Sequence, residues 1–109
     1  MQTPQWYWAR GLHDARVCGY AEEENCLTLY LDAEGAMFEQ DICKICFHHP
    51  RILTPDFQME QLRGSWWLRD ELEQKGPFYY LYLKFDTAKC KTRVLELRFR
   101  DAQVERKHS

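Results

Sequence analysis

The sequence predicts a mainly β fold, a β-sandwich or partly open barrel built from two similar strand units. Three observations lead there: period-two apolar alternation in four segments, turn-forming residues between them, and recurrence of the pattern in both halves of the chain. An α+β fold is the alternative, because residues 55–76 also carry helix punctuation.

Taken in order, Leu27, Leu29 and Leu31 alternate with Thr28, Tyr30 and Asp32, and Cys43, Ile45 and Phe47 alternate with Lys44, Cys46 and His48. Successive side chains on a strand point to opposite faces, so each set marks one buried face. Ala33-Glu34-Gly35-Ala36 lies between the two runs and reads as the connection of a hairpin. Leu81, Leu83 and Phe85, then Leu95, Leu97 and Phe99, repeat the arrangement around Asp86-Thr87-Ala88-Lys89. Ala15 to Tyr20 reads as a further strand, since Val17 and its neighbours are short and favour extended backbone.

A shift of 52 superposes Phe47 on Phe99, Cys43 on Leu95, Ile45 on Leu97, Ile52 on Val104 and Leu29 on Leu81. Upstream, Trp6 to Asp14 looks like Trp66 to Asp70, with Asp14 on Asp70 and His13 on Arg69. These matches predict one domain over residues 1–109 with an internal duplication, 6–54 and 65–106. Ser65 before Trp66 to Lys75, with Gly76-Pro77 behind, leaves a short helix within 55–76 as an open alternative to a strand.

Several functional classes are excluded by composition. Hydrophobic residues make up 45% of the chain and aromatics 15%, so it folds rather than staying disordered. Its net charge of −2 gives no overall basic field for nucleic acid or an acidic membrane. Residues 1–83 carry a net −6 and residues 84–109 a net +4, which is expected to form faces of complementary charge rather than a nucleic-acid surface. Apolar runs are too short to span a bilayer and no signal-peptide pattern follows Met1, so no membrane association and a cytoplasmic location are expected. Five cysteines, an odd number, are expected to be free thiols in a reducing compartment.

Two polar constellations invite chemistry. Cys43-Lys44-Ile45-Cys46 has zinc-knuckle spacing with His48 and His49 behind it. On a strand, however, residues three apart face opposite ways, so Cys43 joins Ile45 and Phe47 in the core while Cys46 and His48 point outward. A metal site is therefore the weaker expectation, and its candidate ligands are Cys46, His48 and His49. His13 beside Asp14 has the makings of an oriented base, and the aromatic Trp6-Tyr7-Trp8 precedes it. No nucleophile motif, phosphate-binding glycine loop or His-Glu-x-x-His accompanies the pair, so Asp14 is expected to be structural and no catalysis or cofactor is expected.

Leu12-His13-Asp14-Ala15-x-Val17, then Leu27-x-Leu29-x-Leu31-Asp32, then Ile45-x-Phe47 and Ile52, is similar to the opening of several small β-rich bacterial domains of uncharacterised function. Some of those look like immunity proteins, which bind and block a toxin without catalysis. The resemblance implies a β fold and a protein partner.

Trp6, Trp8, Trp66 and Trp67 occupy the two lead-ins. One of each pair is expected in the core, and the others are expected to form an amphipathic aromatic patch of the type found at protein interfaces. The function expected from the sequence is thus a small non-enzymatic module that binds a protein partner or forms a homodimer. An immunity-type inhibitor and a metal-binding protein using Cys46 and His48 are the alternatives.

Overall fold

The computed structural model describes residues 3–107. Eight strands, β1 (Arg16–Glu23), β2 (Cys26–Asp32), β3 (Ile42–His48), β4 (Arg51–Ile52), β5 (Trp66–Lys75), β6 (Phe78–Asp86), β7 (Thr92–Phe99) and β8 (Asp101–Arg106), are joined by turns and one 3-10 turn, Met59–Leu62. They form one antiparallel sheet in the order β4-β7-β6-β5-β1-β2-β3-β8.

Exchanging β1 with β5, β2 with β6, β3 with β7 and β4 with β8 gives the same order read backwards. Register follows the same symmetry. Val17 pairs with Leu31 and Gly19 with Tyr30 across a bulge at Cys18; Trp67 pairs with Phe85 and Arg69 with Lys84 across a bulge at Leu68. Where the halves meet, Arg16 pairs with Trp66, flanked by Val17 N–H to Ser65 O and Trp67 N–H to Ala15 O, at 2.9 and 2.8 Å. At the far ends, β4 continues β3 but pairs with β7, and β8 continues β7 but pairs with β3. Each half thus lends its last strand to an edge of the other, and the sheet stays open.

This pairing corrects the shift of 52. Leu27 and Leu29 pair with Phe47 and Ile45, as Leu81 and Leu83 pair with Leu97 and Leu95. The equivalences are therefore Phe47 with Leu97 and Ile45 with Leu95, while Leu29 corresponds to Leu83. Upstream, Asp14 N–H bonds Trp67 O as Gly64 N–H bonds Val17 O, so the equivalent of Asp14 is Gly64, not Asp70. Asp70 stands where the first half has Tyr20.

The 66–75 segment is a strand. A helix over these residues would have offered one apolar i,i+4 contact, whereas the strand pairs with β6 from Trp66↔Asp86 to Lys75↔Phe78. Gly76, at φ +59, supplies the left-handed conformation that a two-residue hairpin turn needs, with Pro77 behind it. The only helical feature within 55–76 is the 3-10 turn.

Core side chains come from the inner faces of all the long strands: Leu27, Leu29, Leu31, Ile45, Phe47, Trp67, Leu81, Leu83, Phe85, Leu95, Leu97 and Phe99, closed at one end by Trp8, Leu12 and Leu62. Each such burial contributes about 1.5–3 kcal/mol. Cys43 departs from expectation. The β3–β8 register slips between Ile42 and Lys44, so Cys43 is the extra residue of a bulge; Ile42 takes the core position and Cys43 stays half-buried, its Sγ 3.5 Å from Glu105 O. The charge asymmetry is partly resolved within the fold, where Arg106 of the basic part reaches Glu39 and Asp41 of the acidic part.

Candidate functional site

The largest buried polar feature is a carboxylate. The bulge at Leu68 resets the alternation of β5, so that Trp67 and Asp70, three apart, both turn inward while Arg69 stays exposed. Asp70 accepts three hydrogen bonds: from the Tyr7 hydroxyl on one oxygen, and from the indole N–H groups of Trp8 (2.9 Å) and Trp67 (2.8 Å) on the other. The two indoles meet edge to face, with centroids 5.5 Å apart. Burial raises the Asp70 pKa above the usual carboxylate value, although the three donors, Tyr7 foremost, pull it down. Tyr7 is pushed well above the ordinary tyrosine range by burial and then by its bond to Asp70. Both carboxylate oxygens are engaged by donors that keep their protons, so the arrangement ties the N-terminal segment to β5 rather than offering a base.

His13 and Asp14 stand side by side at the surface. The His13 Nδ1–H donates to Leu68 O at 2.6 Å, which orients the imidazole, and Asp14 Oδ1 stands 3.6 Å from Nε2. Asp14 is exposed with φ 72, a turn position. His13 instead lines a 430 Å³ cavity with Arg10, Met37, Trp67, Leu68 and Arg69.

The four tryptophans do not form one patch. Trp8 and Trp67 are sealed in the core, because each indole N–H has its acceptor inside on Asp70. Trp6 is half-buried against Tyr79 and Phe99, and only Trp66 faces solvent, 46% exposed, with Arg16 5.7 Å above its ring. The apolar surface that the alternation did not reveal lies on the 33–41 connection: Met37 is 54% and Phe38 74% exposed. That connection is pinned. Met37 N–H bonds His13 O, and the Phe38 and Glu39 N–H groups both bond Gly11 O. A Cβ on Gly11 would run into the Glu39 side chain, so glycine is what allows the loop to sit there.

On the outer face of β2 and β3, Cys26 stands opposite His48 and Thr28 opposite Cys46. Cys26 and Cys46 are at disulfide distance, Cα atoms 6.5 Å apart, which corrects the expectation that all five cysteines are free; Cys18, Cys43 and Cys90 are. The ligand atoms of Cys26, Cys46 and His48 lie within 4.8 Å of one another. Cys26 was missed because only the β2–β3 register places it there. His49, with φ 54, belongs to the turn and is not in the cluster.

Residues 4–95 match the model of a family described as a protein of unknown function, DUF4085. The chain belongs to that family. The DUF4085 match contains every candidate above, from Trp6 through Asp70, whereas β8 lies beyond it. Among curated proteins and among solved structures, nothing matches this DUF4085 chain. No helix among the described residues is long and apolar enough to cross a membrane.

Proposed function

We propose that this chain is a protein-binding module whose partner is held on Met37 and Phe38. The observation that carries it is the exposure of Phe38, 74%, on a loop whose backbone is fixed to Gly11 and His13. An exposed phenylalanine on a pinned backbone gives up little entropy on docking and acts as a preformed anchor. The adjoining 430 Å³ cavity, with Arg10 and Arg69 at its edge, suits an apolar residue flanked by carboxylates on the partner. Immunity-type inhibition of a toxin is a narrower form of the same reading. The test compares wild type with Phe38→Asp and Met37→Ser as bait in extracts of the native cell. The expected result is a defined protein retained by wild type and lost from both variants at unchanged melting temperature. Identical retention by all three baits overturns it.

A further inference from the structure

We infer that Cys26, Cys46 and His48 bind zinc when the two thiols are reduced, and that closing the Cys26–Cys46 disulfide expels the metal. Thiolate and imidazole are the ligands zinc prefers, at about 2.3 Å for sulfur and about 2.0 Å for nitrogen. Two sulfurs at that radius on a tetrahedral ion stand roughly 3.8 Å apart. The three ligand atoms already lie within 4.8 Å of one another, on the paired strands β2 and β3. Strands fix these positions better than a loop would. The Thr28 hydroxyl, on a largely buried side chain, lies 3.7 Å from Cys26 Sγ and is placed to donate to its thiolate. The fourth position is left to water or to Glu23, the register partner of Cys26, on the same face.

Internal symmetry shows that the fold does not require these side chains. In the second half, Tyr80 stands opposite Arg98 and Tyr82 opposite Glu96, where the first half has Cys26 opposite His48 and Thr28 opposite Cys46. The same backbone therefore works without any sulfur or imidazole at those places. Two thiols and an imidazole on one copy, against Tyr80, Glu96 and Arg98 on the other, mark a property added to the scaffold.

The two states exclude each other, because a sulfur bonded to sulfur has no thiolate charge to offer. With a small-molecule disulfide as oxidant, one protein thiolate attacks it and releases one thiolate of the oxidant. The second protein thiolate then attacks the mixed disulfide and releases the other. Two electrons pass from the cysteine pair to the oxidant, and the zinc ion leaves at its original charge.

The experiment loads the full chain with zinc under reducing, oxygen-free conditions, removes free metal, and measures zinc and accessible thiols. Wild type should hold about one zinc per chain. Adding oxidised glutathione should release it together with the loss of two of the five thiols. Cys26→Ser and His48→Gln should abolish retention while keeping the far-ultraviolet circular dichroism of wild type; Cys18→Ser and Cys43→Ser should not change it. Thr28→Val should weaken binding by about tenfold. Cobalt(II) in place of zinc should give thiolate charge-transfer absorption in wild type and none in the Cys26→Ser, Cys46→Ser double variant. A reduced wild type holding no more zinc than that double variant, or one keeping its zinc after the disulfide closes, overturns the inference.

Discussion

Trp8 donates its indole N–H to Asp70 at 2.9 Å across 62 residues of sequence, and through that bond the N-terminal segment is fastened to β5. Trp67 reaches the same oxygen from within β5, and Tyr7 takes the other. Removing the carboxylate strands three donors, the two indole N–H groups among them fully buried. At about 1–3 kcal/mol per unsatisfied buried group, Asp70→Ala should lose about 3 kcal/mol or more in urea denaturation. Asp70→Asn keeps one acceptor oxygen and should lose less than half of that.

Asp70 also predicts a pH dependence of unusual sign. Its folded pKa lies above the unfolded value because burial disfavours the charge. Between the two values the folded state binds more protons than the unfolded state, so this group's contribution is present at low pH and is lost as pH rises through the folded pKa. The stability of wild type relative to Asp70→Asn should therefore fall as pH rises from about 4, then level off. A difference that grows with pH over that range contradicts the assignment of burial as the dominant cause.

Two symmetry-related turn positions should respond differently to substitution. Asp14 at φ 72 and Gly64 at φ 76 occupy equivalent places. A Cβ at Gly64 meets only ordinary contacts, Ala88 at 3.5 Å and Arg16 at 3.7 Å, so Gly64→Ala should cost about 1–2 kcal/mol through the backbone alone. Asp14→Gly should be neutral to about 0.5 kcal/mol, since the His13 ring is oriented by Leu68 O and not by this carboxylate. Urea midpoints of the two variants decide it.

Gly11→Ala should free the 33–41 loop. The added methyl displaces Glu39, and the N–H groups of Phe38 and Glu39 lose the carbonyl of Gly11. Amide hydrogen exchange at these two residues should accelerate by at least tenfold, about 1.4 kcal/mol of lost protection, with the strand amides of β2 and β3 unchanged. Unchanged exchange at Phe38 contradicts the pinned-loop geometry.

The strands were legible because inner faces repeat every second residue, and Leu27-Leu29-Leu31 and Leu81-Leu83-Phe85 do so without interruption. The shift between halves was not, for a countable reason. The β5–β6 hairpin extends beyond Glu73↔Tyr80 by Gln74↔Tyr79 and Lys75↔Phe78, four residues that the β1–β2 turn lacks. The offset is thus 50 on β1 and β3 and 54 on β2, and a single shift of 52 averages them. From that error followed the placement of Cys43 on Leu95, when its equivalent is the exposed Arg93. Bulges at Cys18, Leu68 and Cys43 hid the rest, since one extra residue turns the following side chain to the other face without changing composition. Asp70 was invisible as a core residue for that reason, and Cys26 became a neighbour of Cys46 and His48 only once β2 and β3 were in register.

Binding through Phe38 is tested most directly in the native cell, with a photo-crosslinking phenylalanine analogue placed at position 38 and, as a control on the opposite half of the sheet, at Tyr82. Irradiation should give a discrete heavier species from position 38, carrying one defined protein, and none from position 82. No crosslinked species from position 38 at normal levels of folded protein would contradict the account.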